Sequence, residues 1–433
     1  MSRPAADPSA TGARLLALVA ELFPFPRSIT GDGVRQTLAR LARRIPLQVH
    51  EVPTGTRVFD WTIPEEWTVR EAWIADAAGR RVVDVRDSNL HLVQYSVPMR
   101  ARLSLAALRP HLFTVPEHPD RIPYRTSYYQ RTWGFCLTQQ VLESLPDGEY
   151  EVCVDTSLEP GSLTYGECVL AGDSDEEVLV SAHVCHPSLA NDNLSGIAVA
   201  AGVAEWLAAR PSRRYSYRFV FAPGTIGALA WLARNDSRVD RIRHGLVVAG
   251  VGDPGGFTYK RSRRGDADID RAAALVLRHG GWPHQIVDFE PYGYDERQFC
   301  SPGFDLPVGC LMRTPHGQYA EHHTSADDLR FVRPERLGEA EGVVQGIVEV
   351  LEGDRRYRSL NPMGEPQLGR RGLYGTIGGV EREAAELAML WVLNLADGRH
   401  SLLDTAERSG LPFGVVHGAA TVLAEHGLVK EAV

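Results

Sequence analysis

Residues 176–210, EEVLVSAHVCHPSLANDNLSGIAVAAGVAEWLAAR, constrain the fold more than any other stretch of the chain. A short apolar run, Val178-Leu179-Val180, leads into a polar segment holding His183, Cys185, His186 and Asn191-Asp192-Asn193. Gly196 then opens a long Ala/Val-rich segment. The apolar run suits a buried strand and the Ala/Val-rich segment a buried helix. His183 at the strand end and Asp192 just before the helix would stand at one edge of a sheet, where α/β proteins gather their ligands.

The same alternation continues through the following residues. Candidate strands are Glu151–Asp155, Val178–Ala182, Tyr217–Ala222, Gly245–Ala249, Gln285–Phe289 and Pro307–Met312. Helical patterns fall at Leu194–Ala209, Ile226–Arg234 and Ile269–His279, and a further helix spans Pro334–Leu351, where proline suits a first turn. This order predicts an α/β fold, a mostly parallel sheet flanked by helices. Ahead of it, Leu15–Phe23 and Val34–Ile45 read as amphipathic helices, with Asp32 as N-cap of the second, and residues 1–12 read as a disordered tail. From Leu47 to about Leu112 the chain changes to short β-rich runs broken by Pro-Thr-Gly, Ala-Gly and Asp-Ser-Asn, the texture of a small inserted β domain. After the Pro/Gly-rich linker Asn361–Gly372 come three helical patterns, Glu381–Leu395, Ser401–Ser409 and Phe413–His426, and a closing HGLVKEAV that reads as the start of a wing.

Charge narrows the partners. The net charge of −9 over 433 residues argues against a generally nucleic-acid-binding or anionic-membrane-binding surface. The winged-helix stretch, residues 371–433, carries five Arg/Lys against eight Asp/Glu, a net of −3, whereas a DNA reader needs cations to neutralise phosphates. That unit and the inserted one suit protein contact instead, and are natural surfaces for a homo-oligomer. No apolar run approaches the roughly 18 residues that span a membrane. The six cysteines show no close paired spacing and no signal-peptide core precedes them, so a cytoplasmic protein with reduced thiols is expected.

Four of the five later strand ends offer an acid, a histidine or both. They are His183, Cys185, His186 and Asp192; Asp253; Tyr294-Asp295-Glu296-Arg297; and Glu321-His322-His323. Imidazole and carboxylate donors at one sheet edge suit Zn²⁺, which takes N and O ligands and keeps an open position when catalytic. Taken singly, each histidine reads as a hydrogen-bonded structural residue. The shared edge favours ligation for His183 and His323, with His186 and Cys185 in support and His322 reading as a structural residue. The basic run after Asp253 contains Tyr259, Arg261 and Arg263, candidates to hold a substrate; the arginines offer a carboxylate a bidentate fork.

HVCHPSLANDNLSG and EHHTSADD together resemble the zinc-dependent exopeptidase superfamily of aminopeptidases. The whole chain resembles a bacterial group of aminopeptidase-like proteins with an inserted β domain and a C-terminal winged helix. VPTGTRVFDW, SNLHLVQYSVP, IPYRTSYY, TWGFC, GSLTYGE, YKRSRRG and DERQFCSPG carry that likeness. The resemblance implies a zinc-aminopeptidase-like core at 13–45 and 128–365, an insert at 46–127 and a winged-helix domain at 370–433. It implies that His183 binds one zinc, that Asp192 bridges two, and that Asp253 and His323 bind the other.

The sequence departs from the superfamily at one point. A Glu-Glu pair, general base and zinc ligand, is expected after the strand Tyr217–Ala222, and this chain has Gly224-Thr225. One zinc on His183, Asp192 and His323, or two, then remain open. The base must come from another loop, with Glu321 and Glu296 as candidates. In an extended segment Glu321 would share a face with His323. The expected function is zinc-dependent hydrolysis of an amide bond in a small peptide-like or N-acylated substrate. The alternatives are a degenerate peptidase that binds zinc and a ligand without hydrolysis, and an acyl-transfer or cyclisation enzyme on the same scaffold in a biosynthetic pathway.

Overall fold

A computed structural model describes residues 8–373 and 380–432. In chain order its principal strands are β1 (Leu47–Pro53), β2 (Glu66–Ala75), β3 (Arg81–Asp84), β4 (Met99–Ser104), β5 (Glu149–Glu159), β6 (Ser162–Leu170), β7 (Glu177–His183), β8 (Ser216–Ala222), β9 (Ile242–Val248), β10 (Phe257–Lys260), β11 (His284–Val287), β12 (Val308–Met312), β13 (Arg356–Ser359), β14 (Asp397–Ser401) and β15 (Val429–Glu431). The principal helices are α1 (Pro8–Leu22), α2 (Asp32–Leu41), α3 (Gly196–Ala208), α4 (Ile226–Asn235), α5 (Asp268–Gly280), α6 (Pro334–Gly353), α7 (Val380–Leu395), α8 (Leu402–Ser409) and α9 (Phe413–Glu425). The chain divides into two compact units. The first comprises the residues up to 265 with 285–342, the second Asp266–His284 with Val343–Val433.

Among the described residues the largest sheet has eight strands, in the order β1-β6-β8-β7-β9-β12-β10-β11. Its centre is parallel, β7 pairing with β8 on one side and β9 on the other, and β9 with β12. Every residue of β7 is buried, as expected of a central strand covered on both faces. The Ala/Val-rich α3 follows it and is buried along most of its length, because its small side chains permit close packing. At Gly202 a Cβ would lie 2.9 Å from the side chain of Leu15 in α1, so a larger residue there would require Leu15 to shift. Burial of side chains such as Leu179, Val220, Trp231 and Phe299 contributes about 1.5–3 kcal/mol each. Register places His183 beside Ala222, so the β7 and β8 loops leave the sheet at the same level.

Several sequence expectations change here. Glu151–Asp155 lies inside β5, which belongs to a separate four-stranded sheet, β3-β2-β5-β4. The alternating burial of β5 is that of a half-covered antiparallel strand, not of a central parallel one. Conversely β1, at the start of the β-rich stretch, pairs antiparallel with β6 at the edge of the large sheet. Asp32 is the first residue of α2, not its cap. Gly31 holds the cap position at φ 91°, where an added Cβ would meet the Trp67 carbonyl oxygen at 2.7 Å. Residues 8–12, expected in the tail, are helical, and 1–7 lie outside the described residues.

The second unit contains α5 and the winged-helix elements. β14-β13-β15 form a small antiparallel sheet beside α7, α8 and α9. Ser401 and Asp404 form a reciprocal capping box at the start of α8: the Ser401 hydroxyl accepts from the Asp404 N–H and the Asp404 carboxylate from the Ser401 N–H. Arg271 of α5 pairs with Asp404 and Glu407. No helix among the described residues is long and apolar enough to cross a membrane, and all six cysteines are buried and free.

Candidate metal centre and active site

The site forms where the parallel strands end. His183 is the last residue of β7, and its Nε2 lies 2.9 Å from Asp192 Oδ1. Asp192 sits in the turn before α3, and that turn is fastened from several sides. Asp327 accepts the backbone N–H groups of Asn191 and Asp192, at 2.6 and 3.0 Å. The Asn193 side chain donates to the Val248 carbonyl and accepts from the Gly196 and Gly250 N–H groups. Ser195 accepts from Val251 N–H and donates to the Asn191 carbonyl. These bonds fix the Asp192 carboxylate before any ligand arrives.

The second pair of histidines reaches Asp192 from the loop after β12. His323 Nε2 lies 3.0 Å from Asp192 Oδ2 and His322 Nε2 3.7 Å from the same oxygen. The two rings stack, centroids 3.9 Å apart and planes 13° apart. Adjacent residues in an extended segment would point to opposite faces. Here the chain turns, with His323 at φ 54°, and both rings fall on one side. His186 Nε2 completes the set at 3.9 Å from Asp192 Oδ2.

Two groups of donors therefore share Asp192: His183, His186 and Asp192, and Asp192, His322 and His323, with ligand atoms in each within 4.8 Å of one another. Burial alone would raise the Asp192 carboxyl, but the imidazoles around it, His186, His183 and His323, outweigh that and hold it well below the usual carboxylate range. Burial and the neighbouring His323 push His322 down to about 4, which leaves its ring neutral at neutral pH, the form that binds metals. Four imidazoles around an ionised carboxylate are a donor set that fits zinc.

The remaining sequence candidates fall elsewhere. Asp253 is absent from both donor groups. Its carboxylate accepts from Asn191 Nδ2, Gly255 N–H and the Thr314 N–H and hydroxyl, so it braces the loop that presents Asp192. Glu321 does not line the cavity; the turn that unites His322 and His323 leaves it 3.8 Å from Arg121. Glu296 is fully buried in an ion pair with Lys260, whose ammonium also donates to the Tyr292 carbonyl. Tyr259 is buried in β10. Arg261 pairs with Asp288 and Arg263 with Asp305, both at 2.7 Å on the surface.

A cavity of about 310 Å³ opens over the histidines, inside the range of about 300–1,000 Å³ for small-molecule sites. Its wall holds two carboxylates, Asp192 and Asp295, and one Arg/Lys side chain, Arg297. Asp295 is buried and accepts the Thr225 N–H at 2.6 Å. Burial raises its acid to about 6, against the opposing pull of His183 and that N–H. Thr225 holds φ 61° and ψ −73°, a conformation that costs a β-branched residue about 1–3 kcal/mol and concentrates at functional sites. The Gly224-Thr225 position, where the superfamily pattern has its acids, thus grips an acid from another loop. Tyr294 stacks on His183 with centroids 5.3 Å apart. Tyr124 enters beside His323, fixed by its N–H bond to the His323 carbonyl, and its hydroxyl meets that of Tyr128 at 2.9 Å.

The sequence pattern sets Tyr294 to Arg297 after a strand and points to Glu296 as a candidate base, whereas Asp295 is the acid on the cavity wall. Consecutive residues entering a helical turn diverge by about 100°. One acid faces the cavity and the other faces Lys260, and nothing in the local sequence says which.

Comparison with known proteins agrees with this architecture. Residues 16–354 match the family described as a domain of unknown function, DUF4910, and residues 355–431 match a winged helix-turn-helix family. The chain belongs to the DUF4910 family. A Clostridium acetobutylicum protein is 47% identical over 423 residues, covering 98% of this chain and 97% of that one. It is named as a candidate polysaccharide biosynthesis protein with an aminopeptidase-like domain. A crystal structure of a candidate peptidase from the same organism superposes with a TM-score of 0.94 at 46% identity, over 98% of this chain and 97% of that one. A zinc aminopeptidase from Bacillus subtilis superposes with a TM-score of 0.59 over 79% of this chain and 95% of its own. At 12% identity it shows the fold alone. The fold is aminopeptidase-like, with a C-terminal winged-helix domain.

Proposed function

We propose that this protein is a zinc-dependent hydrolase of an amide bond in a small peptide-like or N-acylated substrate, with Asp295 as the proton-transferring carboxylate. One observation carries the reading: among the described residues Asp295 is the one carboxylate on the cavity wall besides Asp192, and it stands at the strained Gly224-Thr225 corner. His183, His186 and Asp192 would hold one zinc, and Asp192, His322 and His323 a second. Zinc supplies Lewis-acid chemistry, polarising an amide carbonyl and making water more acidic.

The chain's own residues do the rest. Asp295 accepts a proton from the attacking water as its oxygen bonds to the carbonyl carbon, then returns it to the leaving nitrogen as the C–N bond breaks. The Thr225 N–H holds Asp295 in place for both transfers. Tyr294, stacked on His183, and Tyr124, beside His323, restrict the rings and limit water access. Glu296 is assigned to loop support through Lys260 and Glu321 to the surface turn.

The name of the Clostridium relative favours a second reading on the same site. A sugar amine would replace water as the nucleophile, and Asp295 would take its proton and pass it to the leaving nitrogen as the original C–N bond breaks. Product analysis separates the two readings: a free carboxylic acid marks hydrolysis and a new amide marks transfer.

Metal content and one variant test the proposal. Purified protein is expected to hold about one zinc or more, and Asp295→Asn to keep that zinc while kcat falls by about 10²–10⁴-fold, the usual contribution of a general base. Less than about half an equivalent of zinc, with none taken up on addition, overturns the metal assignment. Undiminished turnover in Asp295→Asn overturns the base.

A further inference from the structure

Arg27 is buried against the carbonyls of His186 and Leu22; the cationic side chains near the cavity mouth fall into two groups. Lys260, Arg261, Arg263, Arg264 and Arg313 are each paired with a carboxylate, of Glu296, Asp288, Asp305, Asp305 and Glu339 respectively. Arg297 lines the cavity and makes no ion pair among the described residues. Its Nε is buried with no hydrogen-bond partner among them. Its Nη2 makes one long bond, 3.3 Å, to the Thr225 hydroxyl. The Tyr292 ring lies below the guanidinium, 5.9 Å from ring centroid to Cζ, at the exposed rim.

Nε and Nη2 form one edge of a guanidinium, and that edge matches the two oxygens of a carboxylate in a planar, bidentate pairing. In Arg297 this edge is almost unspent. A buried N–H without a partner is unfavourable unless a ligand supplies an acceptor. Asp295, the neighbouring acid, pairs instead with the Thr225 N–H. Arg297 and Asp192 line the same cavity.

We propose that Arg297 binds a free carboxylate of the substrate, so that the substrate class is an N-acyl amino acid or a dipeptide cleaved beside its terminal carboxylate. Arg297, not the basic run at 260–264, is the specificity-determining cation. The substrate class rests on the hydrolase reading above; the carboxylate site itself does not.

Two measurements separate these levels. The first is turnover of a mixed dipeptide library against the same library blocked as C-terminal amides. The second is equilibrium binding, by thermal shift, of N-acetyl amino acids against their primary amides, which needs no catalysis. Wild type is expected to favour the acids by about 10- to 100-fold in both, the range of a charge-assisted hydrogen bond. Arg297→Gln should abolish the preference, raising KM for the acids far more than for the amides. Arg297→Lys, which keeps the charge but not the fork, should retain part of it. Equal handling of acids and amides by wild type overturns the proposal, as does a preference that survives in both variants. A merely structural Arg297 would weaken acids and amides alike. Absence of all hydrolysis, with the binding preference present and lost in Arg297→Gln, would remove the hydrolase reading and leave the carboxylate site standing. If Arg297→Gln melts early, Arg297→Lys and the wild-type comparison still decide.

Discussion

Two loops face one another across the cavity and are built on opposite principles. In the loop at residues 190–195, each polar side chain is spent on the protein: Asn191 on Asp253 and the Gly252 N–H, Asp192 on His183 and His323, Asn193 on Val248, Gly196 and Gly250, and Ser195 on Asn191 and Val251. In the loop at 292–297, the Tyr294 hydroxyl and Arg297 Nε are buried without partners among the described residues. A ligand set must be held in advance, because metal binding tolerates little displacement. A substrate-facing set must keep donors in reserve. The contrast separates residues that build the site from residues that use it.

That contrast can be broken experimentally. The largest effect is expected from Asp192→Asn, which removes the carboxylate common to both donor groups. Bound zinc, measured by elemental mass spectrometry, should fall to a minor fraction, and turnover should drop by at least the ~10²–10⁴-fold associated with a catalytic group. Retention of full zinc would show that the shared carboxylate is not the centre of the site.

A smaller and more diagnostic effect should come from a pair of truncations. Asn193→Ala strands several buried partners and is expected to cost about 1–3 kcal/mol of stability in denaturant unfolding. Tyr294→Phe removes a hydroxyl that had no partner, so it should cost little or raise stability slightly. Equal destabilisation by the two would erase the difference between the loops.

The smallest effect should come from Arg263→Ala. Its exposed pair with Asp305 is worth about 0–1 kcal/mol, and substrate preference should be unchanged. A changed preference would return the substrate-binding role to the basic run.

Some of this molecule is legible from local pattern alone. The apolar run of β7, the Ala/Val-rich α3 and the polar turn between them specify a strand, a loop and a helix, and so put His183 and Asp192 at one sheet edge. The winged-helix stretch is equally plain, because its helices carry their own periodicity and α8 its own capping box. These features depend on residues a few positions apart, which is the range over which periodicity and capping act.

The tertiary structure decided what local pattern could not. His322 joins a donor group because a loop distant in sequence turns toward Asp192, and a left-handed residue at His323 cancels strand alternation; His186 comes from the same connection as Asp192. Asp253 becomes a brace because Asn191 and Thr314 take its oxygens. Asp295 faces the cavity because Lys260, a β10 residue, claims Glu296. Arg261 and Arg263 are neutralised by Asp288 and Asp305, whereas Arg297 makes no ion pair among the described residues. Each outcome is a competition among charges and donors far apart in the chain, settled by which partners the fold brings within hydrogen-bonding distance.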